Sequence, residues 1–167
     1  MVRILADNGA RAMILLHIIW PTFALVALVF AVWITLFLQR FRHMKRTPPG
    51  GEDFATGESS RRYFQPVEMA ANNLANLFEM PVLYFALVPL LLITGHANGA
   101  QTVLAWLFVL LRAGHSVIHI GPKNVPARFM VYLLSVVTLS MMWVGFFVDM
   151  VSAAHAYSVA MAAMPQP

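Results

Sequence analysis

Four apolar runs, at about residues 12–38, 67–94, 100–120 and 127–150, dominate the chain. Each reaches or exceeds the roughly 20 residues that a helix needs to cross a hydrocarbon layer of about 30 Å. They predict an all-α, integral membrane four-helix bundle in a single domain over residues 1–167. The breaks between runs carry strong turn chemistry. Thr47-Pro48-Pro49-Gly50-Gly51 ends the first helix, and residues 52–60 read as a mobile loop. Gly95-His96-Ala97-Asn98-Gly99 is short, so the second and third spans are expected to be antiparallel neighbours. Gly121 to Pro126 turns the chain into the fourth span. Pro21, Pro81 and Pro89 fall inside apolar runs, where a missing backbone donor bends a helix rather than ending it. The tail from Val151 is rich in alanine and methionine and is compatible with either a fraying helix or disorder.

Polar residues interrupt this pattern in two places. Asn72, Asn76 and Glu79 stand at i, i+4 and i+7, and Glu68 lies one turn earlier, so a continuous helix would carry them on one face. Arg112, His115 and His119 stand at i, i+3 and i+7 near the end of the third span, with Ser116 beside them. Ionisable groups within spans are expensive and call for partners. Antiparallel packing brings Glu79 and Arg112 to the same side, which predicts an ion pair between them. The two seams either form a site or fix helix register, since polar side chains also serve as contacts between membrane helices.

Composition agrees with the apolar pattern. Of 167 residues, 60% are hydrophobic and only 11% charged, and mean hydropathy is +0.72. The net charge of +4 is concentrated in the connections: Arg40, Arg42, Lys45, Arg46, Arg61 and Arg62 between spans one and two, Lys123 and Arg128 between three and four. Arg3 and Arg11 alone are basic on the other side. By the positive-inside rule the connections at 39–66 and 121–126 are cytoplasmic and both termini outside. The N-terminal apolar run is too long for a signal core and is expected to be retained as a span. No long basic stripe suggests nucleic acid, although Arg40 to Arg46 can attract anionic membrane lipids. There is no cysteine, so disulfides, thiolate metal sites and a cysteine nucleophile are excluded. His115 and His119 at i and i+4 lack further clustered ligands, and no metal is expected. No Gly-x-Ser-x-Gly elbow supports a serine nucleophile.

Taken together, Asn76-Leu77-Phe78-Glu79-Met80-Pro81 and Arg112-Ala113-Gly114-His115, followed by Asn124 and Arg128, resemble the motifs of the MAPEG family, membrane-associated proteins in eicosanoid and glutathione metabolism. The resemblance covers roughly Ala12 to Met150 and is strongest to the family's bacterial branch, which implies a bacterial inner membrane. It also implies a homotrimer of four-helix subunits binding glutathione as co-substrate between neighbours, and thiol-dependent transfer or peroxide reduction on lipophilic small molecules. By position, it assigns Asn72, Asn76, Glu79, Arg112, Asn124 and Arg128 to glutathione binding and Arg112, His115 and His119 to catalysis. His119 stands where several members carry tyrosine. A non-catalytic membrane module, with the seams serving helix packing, is the alternative.

Overall fold

The computed structural model describes residues 17–121 and 124–164; the start of the first expected span, the basic residues Arg3, Arg11 and Lys123, and the Pro165-Gln166-Pro167 terminus lie outside them. Four helical segments in this all-α chain are long and apolar enough to cross a membrane, and the described residues contain no strand.

Helix α1 (Ile19–Arg46) runs straight through Pro21 and stops at Thr47. Two prolines follow, and a residue preceding proline is driven out of the helical region. The basic residues Arg40 to Arg46 therefore lie on the helix itself, beyond the expected apolar end at residue 38. Arginine, lysine, methionine and glutamine are good helix formers, and His43, Lys45 and Arg46 oppose the negative end of the helix dipole.

The stretch expected to be a mobile loop is instead helical over much of its length. A 3-10 turn (Gly51–Phe54) precedes α2 (Gly57–Phe64). Thr56 caps α2: its hydroxyl accepts from the Ser59 N–H at 3.0 Å, and the Ser59 hydroxyl accepts from the Thr56 N–H at 3.1 Å. Phe54, Tyr63 and Phe64 then gather against the end of α1. The Tyr63 ring lies 4.8 Å from that of His43, and the Arg40 guanidinium sits 4.7 Å above Phe64. Desolvation among these rings, and secondarily the Asp53 carboxylate, raises the Tyr63 phenol above its ordinary pKa. It stays protonated and donates to the Thr47 carbonyl.

The second span is two helices, not one. After a 3-10 turn (Gln65–Val67), α3 (Met69–Leu77) ends and α4 (Met80–Ile93) begins, with Phe78 and Glu79 between them. Pro81 is the cause. It has no N–H for the Leu77 carbonyl and its ring would collide with that oxygen, whereas at the second position of a new helix it is welcome. Pro89 leaves α4 unbroken. The far end of α4 closes in a Schellman turn: His96 N–H reaches the Leu91 carbonyl at 2.9 Å and Gly95 N–H that of Leu92 at 3.3 Å. Gly95 takes φ of 72° there, a conformation suited to glycine.

Helix α5 (Gly99–Ile120) packs on α1, α3 and α6 and forms the centre of the bundle. Asn98 caps it, accepting from Gln101 N–H at 2.9 Å. The apolar core joins α1, α4, α5 and α6 through Leu25, Leu87, Leu91, Phe108, Leu139 and Met142. Tyr84 stacks on Phe108 with ring centres 5.3 Å apart, and its hydroxyl pairs with that of Thr22 at 3.1 Å. Gln101 Nε2 donates to the Met142 carbonyl at 3.0 Å, and Gly145 leaves the room it needs: a Cβ there would lie 3.2 Å from that nitrogen. Helix α6 (Val125–Ala162) has 38 residues, about 57 Å of rise against a hydrocarbon layer of about 30 Å. Its last turns therefore extend past the layer. The outward faces are apolar: Trp20, Phe23, Phe30, Trp33 and Phe37 on α1 are exposed to what, in a membrane, is lipid.

Replacing Tyr84 with phenylalanine removes only the contact to Thr22 and should cost about 0.6 kcal/mol, as interhelical hydrogen bonds in membranes do. Tyr84→Ala, which also empties the stack on Phe108, should cost about 3–5 kcal/mol. Reversible unfolding in mixed micelles measures both.

Candidate functional site

The break in the second span shapes the site. Ending α3 at Leu77 leaves its last carbonyls without helical donors. Arg112, fully buried on α5, supplies one: its Nη2 donates to the Asn76 carbonyl at 2.6 Å. A cation at a helix C-terminus also opposes the partial negative charge there. The other side of the guanidinium faces Tyr132 on α6, its carbon 5.4 Å from the ring centre. The expected ion pair with Glu79 is not formed; no Arg112–Glu79 contact lies within salt-bridge distance among the described residues. The helix break turns a carbonyl toward Arg112, and Glu79, the residue preceding α4, points to the surface.

Glu79 instead lines a half-open cleft of about 230 Å³ with Asn76, His115 and Arg128, and with Val125, Phe129 and Tyr132 from the first turns of α6. Four elements converge there. The end of α3 brings Asn76, the start of α4 brings Glu79, and α5 and α6 bring His115 and Arg128. His115 is buried, with Nδ1 3.2 Å from the Arg128 backbone carbonyl. A carbonyl only accepts, so this bond places the hydrogen on Nδ1 and leaves Nε2 as an acceptor. That Nε2 is buried and has no hydrogen-bond partner among the described residues.

The other sequence candidates fall elsewhere. Asn124 caps α6, its Oδ1 accepting from Ala127 N–H at 3.1 Å. Asn72 is exposed and does not line the cleft. His119 is buried one turn from His115, their rings 5.6 Å apart, behind the cleft wall. Arg112 lies beneath the cleft rather than in it. Among the described residues no three His, Cys, Asp or Glu side chains group as metal ligands.

Two residues escaped the sequence pattern. The inward stripe of α3 is Ala70, Asn73 and Leu77, so Asn73 is fully buried while its neighbour Asn72 faces out. Both side-chain polar atoms of Asn73 lack hydrogen-bond partners among the described residues. Tyr132 stands four residues after Arg128 and thus on its face, a spacing that marks it once α6 is known to begin at Val125.

The chain is thus an integral membrane helical bundle with a polar cleft at one end. A model of the MAPEG family matches residues 18–148, and the chain belongs to that family. Comparison with curated proteins and with solved structures found no match.

Arg112→Leu keeps apolar bulk but strips the Asn76 carbonyl of its donor. A lost charge-assisted bond is worth about 1.5–3 kcal/mol. Stability should fall by that order, and amide exchange should accelerate at residues 76–82 before other parts of the bundle. Uniform acceleration across all helices would show that Arg112 does not hold the break.

Proposed function

We propose that the protein is a thiol-dependent transferase or peroxidase that presents glutathione to lipophilic electrophiles. The convergence of Asn76, Glu79, His115 and Arg128 on one cleft carries this reading. Glutathione offers an ammonium, two carboxylates, amides and a thiol. Glu79 matches the ammonium, the Arg128 guanidinium forks onto a carboxylate, and the Asn76 amide serves as donor or acceptor to the peptide. His115 Nε2, an acceptor without a partner, takes the thiol proton. The thiolate then forms the carbon–sulfur bond as the leaving group departs with its electron pair. With a peroxide, sulfur bonds to one oxygen as a sulfenic acid, the O–O bond breaks, and the alkoxide leaves with the proton from His115. A second glutathione displaces the sulfenic hydroxyl as water to give the disulfide. Positive charge from Arg128 favours the thiolate.

The second carboxylate finds no further cation among the described residues lining the cleft. Its volume of about 230 Å³ also falls below the roughly 300–1,000 Å³ of ordinary ligand pockets. Both observations fit a homotrimer in which a neighbouring subunit completes the site. The basic residues gathered at the same end of the bundle support an orientation with that end cytoplasmic and both termini outside.

A second reading has its own observation. Arg112 spends its hydrogen bond on backbone, which is what a purely structural seam would do. The two readings part on His115. His115→Ala should reduce thiol-dependent turnover of a model electrophile by about 10²–10⁴-fold while glutathione still binds. Arg128→Ala and Glu79→Gln should each weaken glutathione binding by about 1.5–3 kcal/mol in calorimetry on detergent-purified protein. Absence of glutathione binding by the folded protein, or variants that alter assembly alone, would leave the structural reading standing.

A further inference from the structure

One face of α1 meets the end of α5 in a trough that the thiol cleft does not use. Its deeper half is a groove of about 320 Å³ between Leu28, Ala31 and Val32 on α1 and Val117 and Ile120 on α5. Thr35 and Ser116 are the only hydroxyl side chains among the described residues lining it, and Thr35 already spends its hydrogen on the Ala31 carbonyl. Its outer half is a cleft of about 330 Å³ lined by Gln39, Arg42, His43 and Arg46, with Ile120 again in the wall. Ile120 thus joins the two halves.

The residues explain the continuity. Leu28, Ala31, Val32, Thr35, Gln39 and Arg42 follow at spacings of three, one, three, four and three, with His43 and Arg46 completing the next turn. They form a single stripe along an unbroken helix. The stripe changes character along its length. It is apolar where α1 is within the membrane-length apolar stretch, and cationic where the helix emerges. Among the described residues no acidic side chain lines either half. The aromatic contact of His43 with Tyr63 at 4.8 Å anchors the wall of the outer half from α2. From Leu28 to Arg46 the helix rises about 27 Å, against roughly 20–22 Å for one leaflet of a bilayer, headgroup included.

We infer that this trough is a built site for one anionic phospholipid. An acyl chain occupies the groove beside Ala31 and Val117, and the phosphate sits between Arg42 and Arg46. Charge sign and polarity gradient match that occupant, and the stripe is long enough to span it. A zwitterionic lipid matches the groove equally but gains less from the two arginines. The site lies around α5 from the thiol cleft: Ser116 faces the trough and His115 the cleft. The inference therefore goes beyond the proposed reaction and stands whether or not glutathione is turned over.

Native mass spectrometry of the delipidated full chain in detergent tests it, with phosphatidylglycerol and phosphatidylcholine of identical acyl chains as probes. Phosphatidylglycerol should be retained at one per chain with a preference of roughly 30-fold, the order expected from two juxtaposed arginines. Arg42→Gln with Arg46→Gln should abolish the preference while sparing the weaker retention of phosphatidylcholine. Lys45→Gln, whose ammonium lies 4.7 Å above the Phe41 ring and outside the trough, should keep it. Ala31→Trp, filling the groove, should displace both lipids. Equal retention of the two lipids, or an arginine double variant indistinguishable from the parent, would overturn the inference. So would glycerol phosphate competing as well as the intact lipid, which marks a free-anion site. Ala31→Trp that dissociates the oligomer while lipid retention is unchanged would likewise overturn it, and would assign the groove to a second copy of the chain.

Discussion

A buried guanidinium holding a backbone carbonyl, Arg112 to Asn76, is the contact around which the polar end of this bundle is arranged. A charge in low dielectric is tolerated only with good partners. Here the partner is the open end of a helix, with the face of Tyr132 on the other side. The arrangement is reciprocal. Pro81 breaks the second span and frees carbonyls that nothing in hydrocarbon could satisfy, and Arg112 satisfies one of them. Because the arginine is committed to backbone, Glu79 is left free to face the cleft. The acidic and basic members of the two seams are thereby kept apart instead of neutralising one another.

The spans were legible because membrane helices announce themselves by length and hydropathy, and the four apolar runs correspond to the four long helical segments. Their ends were less legible. Apolarity stops near residue 38, but helix propensity persists to Arg46 and only Pro48 and Pro49 end it. The helix at Gly57–Phe64 hid behind glycines and charges, its one local mark being the Thr56-x-x-Ser59 cap. In the site, spacing brought out Asn76, Glu79 and His115 and the family resemblance added Arg128, and the structure gathers these four in one cleft. Spacing misled for the Arg112–Glu79 pair. That inference assumed a helix continuous through Phe78, and an interruption there changes which direction each later residue faces. Asn124 carried a motif position and proved to be a cap, a role that asparagine before a proline-started helix fills on local grounds alone.

Helix α5 separates two environments by the width of one residue. His115 and Ser116 are both buried, yet one belongs to the polar cleft with α6 and the other to the trough with α1. Consecutive residues on a helix point about 100° apart, so a single helix can serve a water-facing site and a lipid-facing one at the same depth. Gly121 at the end of α5 is part of this economy of space: a Cβ there would approach the Val117 carbonyl to 2.9 Å.

The discontinuity at Phe78 and Glu79 also has a mechanical meaning. A continuous helix transmits any tilt along its whole length, whereas α3 and α4 are joined through Phe78 and Glu79 by tighter turn bonds, Phe78 N–H to the Ala75 carbonyl at 2.9 Å and Val82 N–H to the Glu79 carbonyl at 3.3 Å. When the bilayer thins or thickens, α4 can lean to match it while α3 keeps its register against α5. The break thus gives the second span a point at which a change of tilt can be taken up without shifting the whole helix.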